Sequence, residues 1–350
     1  MSKRILIAPL DWGLGHATRC IPIIRYILET GNQPIIAASG RPLTLLKAEF
    51  PHVETYEFEG YNITYPEGAG MAWKMFRSTP HILKRIRDEE LELKELVKNL
   101  KFDAVISDNR FGLHTDLVPC VYMTHQVMIK APVLETTLYR MHMNYMRKFT
   151  HVWVPDREAD GLSGDLSHRL PLPRNGRFIG PLSRFHSLQP EQTTDVVILI
   201  SGPEPQRTRF EKLVLDQMQK FPGSVVAVVG RPDDDFDRTE GQLRMVSHLD
   251  AEHLQKEIAK ARLVVSRSGY STIMDLAAMG KQAVFVPTPG QTEQEYLAQR
   301  YHAEGTHMMM TQSRFNLQQA WDERDRFSGF EPRENVEFKF AVDDLLTLLS

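Results

Sequence analysis

The chain has 350 residues, 42% hydrophobic and 25% charged, which excludes extended disorder and is too long for one ordinary core, so two domains are expected. Lys and Arg number 42 against 45 Asp and Glu, a net charge of −3, which gives no overall field for nucleic acid, and no such partner is expected. Two cysteines, Cys20 and Cys120, lie outside any CxxC pair, so zinc and dithiol chemistry lack support and a reducing compartment fits. The first apolar run, Ile5 to Leu10, is too short for a secretion signal, and no stretch approaches the roughly 18 apolar residues of a membrane span. A cytoplasmic location is expected, with contact at the inner face of a membrane left open.

In chain order, Ile5 to Ala8 reads as a strand running into the turn Asp11-Trp12-Gly13-Leu14-Gly15-His16. A helix follows, with Ile21, Ile24, Tyr26, Ile27 and Leu28 on one side, and Gly31-Asn32 stops it. Pro34 to Ala38 is the next strand, and Ala104 to Ser107, Val121 to Met123 and Val152 to Val154 are later ones. These are apolar runs without clean alternation, the pattern of a parallel sheet covered on both faces. The second half starts the same pattern again. Val196 to Ile200 ends in Ser201-Gly202 and a proline turn, and a helix begins near Arg207. Val225 to Val229, Leu263 to Val265 and Ala283 to Val286 are further strands. After the strand-like Arg177 to Ile179, the run Gly180-Pro181-Leu182-Ser183-Arg184 marks a linker. The expected fold class is α/β, with Rossmann-like domains at 1–180 and 181–350 whose parallel sheets face a central cleft. Val336 to Leu349 reads as a closing amphipathic helix that packs back on the first domain. Ligands of open α/β sheets bind at the carboxyl ends of the strands.

Three stretches carry chemistry. Gly13 and Gly15 let backbone approach a ligand, and the following helix N-terminus favours anions. His16 there is either a general base on an acceptor hydroxyl or water, or a histidine that only hydrogen-bonds its loop. Ala17 and Thr18 interrupt the dinucleotide pattern, so a nicotinamide or flavin is disfavoured and no cofactor is expected. Ser266-Arg267-Ser268-Gly269-Tyr270-Ser271-Thr272 follows a strand and supplies backbone N–H groups and hydroxyls suited to a diphosphate. Arg267 either adds charge there or pairs structurally. Asp275, on the same helix side, suits ribose hydroxyls or else the helix dipole. Pro287 to Glu295 brings Gln294 and Glu295, readers of sugar hydroxyls or parts of a plain polar loop. Asp108 and Asn109, and His125 and Gln126, follow strands and are candidates for acceptor contact, with structural roles equally open.

These motifs in this order resemble the GT-B glycosyltransferases, the peptidoglycan N-acetylglucosaminyltransferase group (family 28) in particular, and are similar to the related UDP-glycosyltransferases. The resemblance spans both halves in outline and is sharpest from Val264 to Ala298. It implies an inverting, metal-independent enzyme that takes a nucleotide-sugar, UDP-linked and of the UDP-GlcNAc kind, and an unknown glycan or lipid-linked acceptor. On the matching positions it implies Gly13, Gly15 and His16 near the reacting centre, and Ser201 and Gly202 at the diphosphate. Ser268, Gly269 and Ser271, with Thr272, resemble the phosphate and nucleoside loop. Asp275 stands in the place of a ribose-binding acid that is usually Glu, Gln294 and Glu295 in that of the donor-sugar pair, and Arg267 matches a frequent family residue. Glu295 stands where the peptidoglycan group usually has Gln, and the first loop lacks that group's extra glycines. Gly13-Leu14-Gly15-His16-Ala17-Thr18-Arg19-Cys20 also resembles the GxGHxxRC of a nucleotide-sugar hydrolase of the same fold, which uses water as acceptor. Hydrolysis or epimerisation therefore stands beside transfer, and a non-catalytic sugar-nucleotide binder stands third.

Asp233-Asp234-Asp235 reads as a solvated loop in preference to a metal site, and no metal is expected. Met71 to Arg87 is basic, with Lys74, Arg77, Lys84, Arg85 and Arg87 among apolar residues, and is expected to break into two short helices at Ser78-Thr79-Pro80. It suits either a peripheral membrane contact or an ordinary amphipathic packing face.

Overall fold

The protein is described by a computed structural model that covers every residue except 1, 12, 62–70, 131–134, 232, 233 and 350; for 71–82 only the helical backbone is described. The chain forms two compact units. The first runs to Arg184 and takes in the closing segment from Asn335, and the second is Phe185–Glu334.

In the first unit, β1 (Arg4–Pro9), β2 (Gln33–Ala38), β3 (Glu54–Glu57), β4 (Ala104–Asp108), β5 (Cys120–Met123), β6 (His151–Val154) and β7 (Gly176–Phe178) form one sheet in the order β3-β2-β1-β4-β5-β6-β7. Every pairing is parallel. Four central strands are continuous buried runs because helices cover both faces. The helices are α1 (Leu14–Glu29), α2 (Gly40–Glu49), α3 (Met71–Leu100), α4 (Glu135–Met146) and the short α5 (Asp165–His168). Leu6, Ile35, Val105, Tyr122 and Val152 meet Leu93, Leu96, Val97 and Met146 in the core of this unit.

The second unit repeats the plan. Its strands are β8 (Thr194–Leu199), β9 (Val225–Val228), β10 (Asp237–Glu240), β11 (Leu243–Val246), β12 (Ala261–Ser266), β13 (Ala283–Phe285) and β14 (Met308–Met309), in the order β10-β11-β9-β8-β12-β13-β14. The edge strand β10 alone runs antiparallel, as a hairpin with β11. Helices α6 (Gln206–Met218), α7 (Ala251–Lys260), α8 (Tyr270–Met279), α9 (Thr292–Ala303) and α10 (Leu317–Asp322) complete it. Val196, Ile198, Phe210, Val265, Val286 and Phe315 lie in its core.

The closing helix α11 (Glu337–Leu348) lies against α1: Tyr26 donates to both Asp343 carboxylate oxygens at 2.9 Å and stands edge-on to Phe338. Arg177 adds a bond from β7 to Asp344 at 2.6 Å.

One expectation is corrected. Ser78-Thr79-Pro80 does not split its segment, since α3 is continuous over 30 residues. An interior proline removes one helical hydrogen bond at a cost of ~3 kcal/mol. The later turns of α3 are anchored by buried Ile86, Leu93, Leu96 and Val97. Of the basic residues in this stretch whose side chains are described, Lys84 and Arg87 are exposed. Arg85 is spent on the carbonyls of Glu59 and Gly60. Lys74 and Arg77 have side chains outside the described residues.

Candidate active site

Each sheet has a switch point, where the chain leaves two adjacent parallel strands toward opposite edges. Loops diverge there and leave room for ligand at the carboxyl ends. In the first unit it lies between β1 and β4, and in the second between β8 and β12. The first two sequence motifs fall on these two places, and Pro287 to Glu295 follows the neighbouring β13.

Pro9, the last residue of β1, is in register with Asp108, the last of β4. The turn into α1 needs Gly13, whose φ of 130° a side chain would strain. Leu14 then starts the helix, and His16 sits in its first turn. The His16 Nδ1 lies 3.1 Å from Asp108 Oδ2, with the histidine slightly exposed and the aspartate fully buried. One turn on, Arg19 is also buried. Its Nε donates to Asp108 Oδ2 at 2.7 Å, its Nη2 to Oδ1, and its Nη1 lies 2.8 Å from His125 Nδ1. Burial alone would raise the Asp108 carboxyl, but the charges and hydrogen bonds of Arg19 and His16 outweigh it and bring it down to about 2. The Cys20 thiol, 3.9 Å from Asp108, is pushed the other way by burial and by that carboxylate, so it is no thiolate at neutral pH.

The candidates after β4 and β5 therefore separate. Asp108 and His125 join His16 in one cluster, although Asp108 stands behind the histidine with no exposed surface. Asn109 holds a left-handed conformation (φ 63°), and its Oδ1 accepts from Tyr122 at 2.9 Å. Gln126 donates its backbone N–H to Thr124 Oγ1 at 3.1 Å. Both are partly exposed beside the cluster. Sequence reasoning passed over Arg19 as a site residue. The signal was its spacing of three from His16 on a helix, which puts the two side chains on one face.

In the second unit Leu199 of β8 is in register with Ser266 of β12. Ser201 and Gly202 (φ 113°) are exposed just past β8. Arg267, only 1% exposed, does not reach outward. It donates to the carbonyls of Val286, Pro287, Gln206 and Ser201 and, at 2.7 Å, to Gln312 Oε1, and its guanidinium lies 4.3 Å above the Phe210 ring. With carbonyls and no carboxylate among these partners, burial lowers its pKa to about 10, still charged at neutral pH. Of the two roles open in the sequence, the structural one describes its contacts, and its partners are loop carbonyls.

Buried Ser268 ties α9 to this loop by donating to the Gln294 carbonyl at 2.7 Å. Gly269 is the N-cap of α8, with nothing within 4 Å of the place a Cβ would occupy. Ser271, Thr272 and Asp275 lie along α8 and are partly exposed. Gln294 and Glu295, in the first turn of α9, fold back on the preceding loop. Gln294 Oε1 accepts from the Thr288 N–H at 2.8 Å, and Glu295 Oε1 from the Gly290 N–H at 2.9 Å. Two hydroxyls of these stretches complete the picture: Ser266 Oγ and Thr288 Oγ1 are buried without a protein hydrogen-bond partner. Thr288 Oγ1 faces Gly202, at 3.4 Å from its would-be Cβ. In the acidic run, Asp233 lies outside the described residues and Asp234 pairs with Arg231 at 3.2 Å.

Two parallel-sheet units of this kind are the fold of the GT-B glycosyltransferases, and the whole chain superposes on solved structures of such enzymes. SnogD of Streptomyces nogalater matches with a TM-score of 0.63 at 12% identity over 100% of both chains. MurG of Acinetobacter baumannii matches at 0.56 with 14% identity over 99% of both chains. The calicheamicin glycosyltransferase matches at 0.65 with 13% identity, covering 99% of this chain and 94% of its own. More particularly, residues 206–338 match the glycosyltransferase family 28 C-terminal domain. A shorter stretch is similar to curated sequences. The UDP-N-acetylglucosamine–N-acetylmuramyl-(pentapeptide) pyrophosphoryl-undecaprenol N-acetylglucosamine transferase of Methylobacterium radiotolerans is 49% identical over 45 residues, 13% of this chain and 12% of the relative. Its counterpart in Rhodopseudomonas palustris is 44% identical over the same length. The match thus spans about an eighth of those relatives. No helix among the described residues is long and apolar enough to cross a membrane.

Proposed function

We propose that the protein transfers a sugar from a nucleoside-diphosphate sugar, UDP-linked and of the UDP-GlcNAc kind, to a hydroxyl of a glycan or lipid-linked acceptor, with inversion and without a metal ion. The observation that carries this reading is His16 at 3.1 Å from a buried, ionised Asp108. An aspartate that accepts from Nδ1–H leaves Nε2 as the basic nitrogen. The acceptor oxygen attacks the anomeric carbon, its proton passes to His16 Nε2, and the bond to the diphosphate breaks with the electron pair leaving on the phosphate.

For the donor, the reading assigns Ser201, Gly202, Ser268, Gly269, Ser271 and Thr272 to the diphosphate and Asp275 to the ribose. Gln294 and Glu295 go to the sugar, and Arg267 becomes the residue that holds the surrounding loops. The α8 N-terminus, whose first turn carries no acid, supports an anion there. The unpartnered hydroxyls of Ser266 and Thr288 support a polar ligand beside it. Asn109, His125 and Gln126 are assigned to the acceptor side, with exposed Lys84 and Arg87 of α3 as a peripheral membrane contact.

Hydrolysis is the second reading, favoured by the HxxRC spacing, in which Arg19 and Cys20 both contact Asp108. Calorimetric titration with UDP, UDP-GlcNAc, UDP-glucose, GDP, CMP and NAD tests the donor. Binding of NAD alone would overturn the reading, and binding of UDP-sugars would support it. With a bound donor in hand, free sugar released at full rate without any acceptor would favour hydrolysis. The His16→Ala variant is expected to keep donor affinity and lose about 10²-fold or more in turnover; undiminished turnover would remove the histidine from the chemistry.

A further inference from the structure

We propose that Arg19 is a positioning residue that fixes His125 as a neutral imidazole carrying its proton on Nε2, a hydrogen-bond donor set beside the general base. The inference rests on the functional reading above for its role, but on the first unit's geometry for its chemistry. A guanidinium has five N–H donors and no acceptor. Arg19 is 2% exposed, so its donors must be met by protein groups. Nε and Nη2 grip the two oxygens of Asp108, and this bidentate pair fixes the plane of the guanidinium. In that plane Nη1 is carried to 2.8 Å from His125 Nδ1. An N–H that can only donate requires a lone pair opposite it. His125 Nδ1 is therefore unprotonated, and the ring proton resides on Nε2.

The same plane brings Nη2 to 2.9 Å from His16 Nδ1, which Asp108 Oδ2 approaches from 3.1 Å. There the two neighbours make opposite demands: the carboxylate takes a proton from Nδ1, and the guanidinium gives one to it. At His16 the Asp108 carboxylate accepts from Nδ1–H in the proposed reaction and leaves Nε2 basic, whereas at His125 Nδ1 meets a guanidinium that can only donate. One arginine thereby gives two adjacent histidines different duties, proton acceptance at His16 and donation at His125. A lysine would keep the charge, but a single ammonium cannot span Asp108 and His125 in this geometry.

Long-range 1H–15N correlation spectra of the 15N-histidine-labelled full chain read the tautomers directly. The His125 ring is identified by its loss in His125→Asn. The expected spectrum at neutral pH shows His125 with a bare Nδ1 and a protonated Nε2. A protonated Nδ1, either as the other tautomer or as the imidazolium, would overturn the proposal. The spectrum is read without substrate, so failure of the tautomer assignment and failure of the functional reading are separate results. For the positioning role, Arg19→Lys is expected to lower kcat at least about tenfold with KM for the donor unchanged, and to give a mixed His125 tautomer signal. A folded Arg19→Lys protein with wild-type kcat would overturn that role even if the wild-type spectrum is as expected. Should Arg19→Lys not fold, the wild-type spectrum still decides.

Discussion

Replacing Asp108 by asparagine tests the cluster at its centre. The side chain keeps its shape, so packing is preserved, but the ionised acceptor is lost. Two magnitudes follow from the structure. The carboxyl is depressed from 3.8 to about 2 in the fold, and a depression of roughly two units corresponds to ~2–3 kcal/mol of stability. Leaving the Arg19 guanidinium buried against a neutral amide costs ~3–5 kcal/mol by the experience of broken buried pairs. A loss of roughly 2–5 kcal/mol from the first unit is therefore expected, visible as a lowered thermal midpoint. The chemical effect is separate from the loss of stability. The amide can present its NH2 to His16 Nδ1, which moves the ring proton to Nε2 and removes the base. Turnover should fall about 10²-fold or more while the donor dissociation constant stays within about twofold. The assay is the initial rate of nucleotide release with whichever donor the calorimetric panel identifies, at saturating donor, beside a donor titration of the same protein. A folded Asp108→Asn protein within about threefold of wild-type kcat would refute the dyad and with it the assignment of His16.

Acid should unfold the first unit in a defined window. Because the Asp108 pKa is lowered on folding, its contribution is present above 3.8 and is lost as pH falls toward 2, and Asp108→Asn should lack that part of the acid transition followed by circular dichroism. Asp275→Ala should weaken nucleotide binding by about 1–3 kcal/mol, roughly 5- to 150-fold, by removing the proposed partner of the ribose hydroxyls. An unchanged calorimetric dissociation constant would sink that assignment. Gly280 closes α8 at φ 64°, and a Cβ there would come within 2.6 Å of Pro332 Cδ. Gly280→Ala should cost the second unit about 1–3 kcal/mol in urea unfolding, and an unmoved midpoint would contradict it. Arg267→Met should lower the second unit's stability by roughly 3 kcal/mol or more, since several buried carbonyls lose their donor at once. An unaffected melt would show that water or rearranged donors satisfy those carbonyls.

Most of the sheet strands that were legible in the sequence are largely apolar runs; β7, a half-buried edge strand, is an exception. β1, β2, β4, β5, β8, β9 and β12 are buried on both faces, and this erases alternation and leaves runs such as Ile5-Leu6-Ile7-Ala8. The strands that were missed are edge or near-edge ones. β3 is the polar Glu54-Thr55-Tyr56-Glu57, and β10 is Asp237-Arg238-Thr239-Glu240, exposed along its whole length. Both are held by pairing with a neighbour, a property of the partner strand and not of their own residues. The break expected at Ser78-Thr79-Pro80 fails for a related reason. A local preference was allowed to decide a segment whose continuity is set by the whole helix.

The site divides along the same line. Residues at a turn or helix start, such as Gly13, Gly15, His16, Ser268 and Gly269, sit in short motifs after buried strands and can be found by position alone. What the sequence conceals is which side chains meet across the sheet. Asp108 and His16 are 92 positions apart and are joined only because β4 lies beside β1, so that the last residues of both strands are neighbours. Arg267 shows the opposite limit. Its place in a phosphate-loop motif suggests charge for a ligand, yet the guanidinium turns inward, because four carbonyls in the segments that follow β8 and β13 would otherwise be buried unmet. The positive charge of such a loop and the rigidity of such a loop compete for one arginine, and in this unit rigidity takes it. Diphosphate recognition in the proposed reaction then rests on backbone N–H groups and hydroxyls. This arrangement tolerates variation in the nucleotide more readily than in the phosphates, because a helix N-terminus reads charge and position and is indifferent to the base.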